Sequence, residues 1–243
     1  MLEICDIVKS FSGNHVLNSL SFRIRKNRVL GLLGPNGSGK TTTFRVIAGL
    51  MQVDAGDVLF AGQSTNNNKR LVQEKCGFLF GNDTGLYDRL TALENILYFS
   101  SLCRINNNDA KCIANKYAEI LRFTDYLHKP VWELSKGTKQ KVALTRTIIH
   151  RPEIIFLDEP TSGFDIDAIE NTHKLIISLR DNGHTVVLAS HNINEIEELC
   201  DDVVILNHGK AAIECDFLTV INKHGGLKAL YHSIRGGREA IEE

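Results

Sequence analysis

The sequence predicts an α/β fold with a mostly parallel central sheet, a small antiparallel β subdomain and an inserted helical subdomain. Three observations carry that expectation. Apolar runs such as "VLGLL" (29–33), "EIIFLD" (153–158), "TVVLAS" (185–190) and "DVVIL" (202–206) read as strands covered on both faces. In the last third helical segments separate those strands, the order that builds a parallel sheet with helices on both sides. The segment 82–150 contains helical patterns instead of strands, so it reads as a separate lobe.

The first third supplies short strands, "LEICDIVKSF" (2–11) and "LSFRIRKNRVLGLLG" (20–34), then a helix from Gly39 through "KTTTFRVIAGL". Phe44, Ile47 and Ala48 stand at helical spacing in it, and "GDVLFAGQ" (56–63) reads as a hairpin strand. In the lobe, "TALENILYFSSLCRI" and "AKCIANKYAEILRF" follow Thr91 and Asp109, residues suited to capping a helix, and a third helix opens at Ser135. Helices then start near Asp167 and at Asn192, the turn "NHGK" (207–210) begins a last hairpin, and the tail is helical. The expected units are residues 1–81 with 151–215 as the core, 82–150 as the helical lobe, and 216–243 as a short tail. The Asn-rich runs "TNNNK" (65–69) and "INNND" (105–109) read as surface loops.

Composition narrows the function. A chain of 243 residues with 43% hydrophobic and 23% charged residues is an ordinary globular protein able to bury a core. Its 28 basic and 29 acidic residues leave a formal charge of -1, which offers no electrostatic case for nucleic acid. "RIRKNR" (23–28) reads as a solvated turn. Six scattered cysteines, without a C-x-x-C pair or histidines at zinc spacing, fit reduced thiols. The start "MLEICDIVKSF" lacks the pattern of a secretory leader, and no apolar run approaches the ~20 residues that span a bilayer.

"GPNGSGKT" (34–41) matches G-x-x-x-x-G-K-[ST], with a buried strand before it and a helix after it. Glycines let successive N–H groups turn inward to cradle anionic oxygens, and the helix adds its positive end. Gly34, Asn36, Gly37, Ser38, Gly39, Lys40, Thr41 and the following Thr42 are the candidate nucleotide-binding residues. Lys40 brings a full charge to the β- and γ-phosphates, and the Thr41 hydroxyl is a ligand for Mg²⁺. These features predict a P-loop NTPase.

The strand "EIIFLD" ends in Asp158, placed to hold Mg²⁺, and is followed by Glu159, a candidate general base or orienter of the attacking water. The strand "TVVLAS" runs into His191, which is either a structural histidine or a hydrogen-bond donor to a γ-phosphate.

In order and spacing these motifs resemble the ATP-binding subunits of ABC transporters, over nearly the whole chain from Phe11 to about residue 215. "LSKGTKQKV" (134–142) looks like the family's signature motif and "SGFD" (162–165) like its D-loop. The resemblance implies that Phe11 stacks on adenine, although its position also suits a core residue. It also implies that Ser135 and Gly137 of one subunit close over ATP held by the phosphate loop of another, with Asp165 at the same interface. ATP and Mg²⁺ are the implied ligands. The implied partners are a second copy or a paralogous subunit and a separate transmembrane permease subunit, with the protein at the cytoplasmic face of the cell membrane.

Two positions depart from the family pattern. The signature reads Ser-Lys-Gly-Thr instead of Ser-Gly-Gly-Gln, and Gly81 stands where most members have a glutamine, with Asn82 or Asp83 as candidate substitutes. "TGLYDRLTALENI" (84–96) resembles the exporter class with separate small membrane chains, the sodium-efflux and antibiotic-peptide types above all. Leu86 and Tyr87 are then candidates for the membrane subunit's docking pocket, or for a local core. The alternative functions are an ATP-binding regulatory module with little or no hydrolysis, a ribosome- or DNA-directed module, and a small-molecule kinase.

Overall fold

The central sheet of the computed structural model, which describes residues 1–66, 68–81 and 84–235, is parallel except at one edge. Its strands are β3 (Val29–Leu33), β6 (Cys76–Leu79), β7 (Ile154–Asp158), β8 (Thr185–Ser190), β9 (Asp202–Asn207) and β10 (Lys210–Asp216), in the spatial order β10-β9-β3-β8-β7-β6. Only β10 runs antiparallel, joined to β9 by a tight turn in which His208 (φ 48°) and Gly209 (φ 75°) both take left-handed backbone. All residues of β3, β7 and β8 are buried, which explains why these strands read as unbroken apolar runs.

Alternation along those strands divides the interior into two apolar layers. Leu30, Leu32, Phe156, Val187 and Val204 face one layer, which also holds Phe44 and Ile47 of α1 (Lys40–Ile47). That layer continues into a four-stranded antiparallel sheet of β1 (Leu2–Phe11), β2 (Asn14–Ile24), β4 (Ala55–Phe60) and β5 (Gln63–Ser64), ordered β2-β1-β4-β5. Leu33, Leu157, Leu188 and Ile205 face the other layer, packed by α6 (Ile166–Asp181), α7 (Ile193–Leu199) and the lobe helices α3 (Ala92–Leu102), α4 (Asn107–Ile120) and α5 (Lys136–Ile148). The helical lobe is therefore fused to the sheet by one continuous apolar cluster. The tail forms α8 (Phe217–His224) and α9 (Leu227–Arg235), and Leu227, Leu230 and Tyr231 are buried in the same cluster.

Two local expectations change, and one strand had no local signal. The run at 105–109 is not a loop: Asn106 caps α4, its Oδ1 accepting the Asn108 N–H at 2.8 Å, so the helix begins ahead of Asp109. Asn combines turn and cap preferences, and here the cap wins. The run at 65–69 ends by opening α2 (Lys69–Lys75); Asn67 in it lies outside the described residues. The four-residue β6 carried too short an apolar run to be read as a strand, and it is defined by pairing with β7.

Thr91 caps α3 in a reciprocal box with Glu94: the Glu94 N–H donates to Thr91 Oγ1 at 3.1 Å and the Thr91 N–H to Glu94 Oε2 at 2.8 Å. Behind this cap lies the fully buried Asn95. Its Oδ1 accepts the Tyr87 N–H at 2.8 Å, and its Nδ2 faces the carbonyls of Tyr87 (3.1 Å) and Thr91 (3.0 Å). Asn95→Ala strands those backbone groups, so we expect a loss on the order of 2 kcal/mol of unfolding free energy, read by urea titration. A midpoint unchanged from wild type would mean that Asn95 does not hold the 84–91 loop.

Candidate active site

The parallel register aligns the C-terminal ends of β3, β8 and β7, pairing Leu33 with Ser190 and Asp158 with Ala189. The loops leaving these ends meet in one place, where open α/β sheets bind ligands. The loop after β3 runs through Gly34–Gly39 into α1. Gly39 has φ 106°, and a side chain on it would strike Leu17 Cδ2 at 2.7 Å, so glycine is required at this helix start. Among the described residues no side chain caps α1, which leaves its first N–H groups for a ligand.

Lys40 is buried, with Nζ donating to the carbonyls of Gly34 (2.7 Å) and Pro35 (3.2 Å). Burial lowers its pKa, and the nearby Glu159 and Asp158 oppose that shift. Thr41 Oγ1 donates to Asp158 Oδ2 at 2.6 Å. Asp158 is buried too, and desolvation raises its pKa against the opposing Thr41 hydrogen bond and Lys40 charge. Glu159 follows with left-handed backbone, φ 50°, uncommon for a residue with a side chain. Its N–H donates to the Ala189 carbonyl at 2.9 Å, while Oε1 accepts from the His191 N–H (3.1 Å) and lies 2.7 Å from His191 Nδ1. The strained turn thus aims Glu159 at the neighbouring strand end.

These groups line a cleft of about 550 Å³, which brings together Asn36, Gly37, Gly39, Lys40, Thr41 and Thr42 with Asp158, Glu159 and His191. Gly34 and Ser38 lie behind it: the Gly34 carbonyl holds Lys40, and Ser38 is buried with its hydroxyl unpaired among the described residues. Val16 and Ser162 also line the cleft. Val16 had no local signal, since only the docking of β2 on the phosphate loop places it there.

Besides Gly34 and Ser38, four predicted residues stand outside the cleft. Phe11, at the end of β1, is 44% exposed, which excludes a core position, and Lys9 Nζ lies 5.5 Å from its ring centroid. Ser135 is exposed and caps α5, accepting the Thr138 N–H at 3.2 Å. Gly137 abuts the turn before α6, where an added Cβ would meet Phe164 at 3.6 Å. Asp165 caps α6 through the Ala168 N–H at 2.8 Å. The 134–142 and 162–165 stretches of one chain are therefore neighbours of each other, and Ser135, Gly137 and Asp165 do not line that chain's own cleft, which Ser162 alone of the two stretches reaches.

Gly81 does line the cleft, and its backbone approaches β7 so closely that a Cβ would sit 2.8 Å from the Asp158 carbonyl oxygen. A glutamine at this position would not fit the same path. Asn82 and Asp83 lie outside the described residues.

Sequence reasoning missed a buried polar cluster under the site. Glu195 on α7 accepts from Thr161 Oγ1 at 2.7 Å and from Ser190 Oγ at 2.6 Å. His173 on α6 lies beside it, Nε2 at 3.4 Å from Glu195 Oε1 and Nδ1 at 3.1 Å from Glu198 Oε1. Burial pushes the Glu195 pKa up, but the neighbouring His173 and the Ser190 and Thr161 hydroxyls outweigh it and the net shift is downward. Burial also depresses His173, and its two carboxylate neighbours more than reverse that.

This floor of phosphate loop, acid pair and histidine on a parallel sheet defines a nucleotide-hydrolysing cassette. A family model described as "ABC transporter" matches residues 17–162. Over 239 residues the chain is 36% identical to the ABC transporter ATP-binding protein NatA of Bacillus subtilis (strain 168), covering 97% of this chain and 93% of that protein. The chain belongs to the ABC transporter family, as an ATP-binding subunit with ATPase activity coupled to transport. Two solved structures share the fold. One is the ATP-binding subunit of an ABC transporter (TM-score 0.88, 23% identity, 97% of this chain and 99% of that one). The other is MJ0796, a bacterial ABC transporter cassette solved as a dimer (TM-score 0.81, 24% identity, 89% and 98%).

Proposed function

We propose that two copies of this chain, or this chain and a paralogous subunit, close head to tail around two ATP molecules, hydrolyse them, and so drive export through a separate membrane subunit. The observation that carries the proposal is the separation within one chain: Lys40, Asp158, Glu159 and His191 share a cleft that Ser135, Gly137 and Asp165 do not line. A second cassette supplies the missing wall when its exposed α5 N-terminus, which attracts phosphate, faces that opening.

Within the composite site Lys40 and the loop amides hold the triphosphate, Phe11 takes the adenine, and Glu159 accepts a proton from, or orients, the attacking water. His191 donates to the γ-phosphate as charge shifts in the transition state. Thr41 Oγ1 and Asp158 Oδ2, 2.6 Å apart at the cleft floor, are the hard oxygen donors that suit Mg²⁺. When bound there, Mg²⁺ would offset phosphate charge.

The membrane subunit would meet the helical lobe. Tyr87, Tyr98 and Leu102 are exposed there, with the Tyr87 and Tyr98 rings edge to face at 5.2 Å. An apolar patch of this kind suits a helix from a partner. Among the described residues no helix is long and apolar enough to cross a membrane. On this reading the partner makes the bilayer contact and this chain sits at its cytoplasmic face. The export direction rests on the likeness of "TGLYDRLTALENI" to exporter cassettes.

Dilution tests the composite site. Specific ATPase activity should fall as the protein is diluted below its dimerisation range and recover on adding Lys40→Met protein, which contributes an intact signature. Undiminished activity from a species shown to be monomeric by sedimentation would overturn the proposal.

A further inference from the structure

We propose that Glu195 is a positioning residue that clamps the loop carrying Glu159 to the strand end carrying His191, so that both reach the nucleotide as one rigid unit. The proposal rests on the catalytic reading of Glu159 and His191. Glu195 is only 4% exposed, and each carboxylate oxygen is used by a different segment. Oε1 accepts from Thr161, two residues after Glu159 and at the head of the D-loop, and Oε2 accepts from Ser190, the residue before His191. Ser190 Oγ in turn accepts the Asn192 N–H at 3.1 Å, which ties down the far side of His191. The direct contact between Glu159 and His191 thus has a second link beneath it, joining the same two segments through buried atoms.

A merely space-filling role does not account for a carboxylate here. A buried acid costs free energy that an apolar side chain of similar size avoids, so its presence needs an arrangement that uses the charge. The arrangement is specific: two hydroxyls, one next to His191 and one two residues from Glu159, with His173 against Oε1 at 3.4 Å. The two hydroxyl bonds to Glu195 are buried and paired at both ends, and bonds of that kind hold one geometry in preference to others. Because Thr161 also begins the segment leading to Asp165, the clamp extends to the surface proposed to meet the second cassette. Movement of the D-loop on closure would therefore carry Glu159 and His191 with it.

A double-mutant cycle with His191 tests this. Glu195→Ala is expected to lower kcat roughly tenfold with little change in KM or ATP affinity, a coupling within the span measured for contacting residues. Glu195→Gln, which keeps an acceptor for one hydroxyl and must reverse the bond to the other, should recover part of that loss. In a His191→Ala background, Glu195→Ala should have no further effect, an outcome that general destabilisation would not produce. An equal fall in kcat in both backgrounds, or unaltered kcat in Glu195→Ala, overturns the proposal. Should Glu195→Ala fail to fold, Thr161→Val and Ser190→Ala each remove one arm and carry the same cycle. A wild-type kcat in His191→Ala alone would instead remove the catalytic reading of His191. Low activity there beside normal Glu195→Ala would sink only the clamp.

Discussion

Glu159→Gln is expected to cut ATP hydrolysis by roughly 10²–10⁴-fold, the span typical of losing a general base, while ATP still binds. The amide keeps the shape of the carboxylate and an oxygen for the His191 contact, 2.7 Å from Nδ1 in the parent, but cannot take a proton from water. The phosphate loop is untouched, because Lys40 is held by Gly34 and Pro35 and Thr41 by Asp158. With hydrolysis stopped and binding intact, the closed pair should accumulate, visible as an ATP-dependent dimer in sedimentation. Single-turnover phosphate release measures the chemical step directly. Near-normal release would remove Glu159 from the mechanism and leave water orientation to another group.

Lys40→Met should act on the other half of the cycle. The substitution keeps an apolar stem in the loop and removes the ammonium, so the phosphates lose their one full positive charge from this loop. Hydrogen bonds to charged groups are each worth about 1.5–3 kcal/mol, so losing those to two phosphates should weaken ATP binding on the order of 100-fold or more. Folding stability should change far less. The ammonium is buried with its pKa lowered by desolvation, so holding it there already costs part of what the two carbonyl contacts return. Equilibrium dialysis with labelled ATP, alongside a thermal melt, separates the two effects. Unchanged ATP affinity would mean that the triphosphate lies elsewhere. A collapse of stability with the loss of binding would mean that Lys40 chiefly holds the loop.

Much of the fold was legible because its strands are buried on both faces. "VLGLL", "EIIFLD" and "TVVLAS" became β3, β7 and β8, and their order along the chain was enough to predict a mostly parallel sheet. Capping chemistry located the start of α3 at Thr91, and the expected helix starts at Ser135 and Asn192 coincide with the N-caps of α5 and α7. It failed at α4, where three consecutive asparagines offered several possible caps and Asn106 took the role. The short β6 was invisible because four residues carry no period, and its strand character comes from the β7 edge.

What the sequence by itself determined is the contiguous chemistry. A glycine-rich turn between a buried strand and a helix, a Lys-Thr pair, and an acid pair at a strand end each act over a few neighbouring residues. Their types and spacing therefore specify the nucleotide floor. Tertiary structure alone decided what depends on side chains far apart in the chain. It placed Val16 on the cleft wall, turned Ser135 and Asp165 away from that cleft, pressed Gly81 against the Asp158 carbonyl, and joined Thr161 to Ser190 through Glu195. The physical reason is that hydrogen bonds and close contacts between distant segments depend on how strands register and helices pack, and no local pattern encodes those partners.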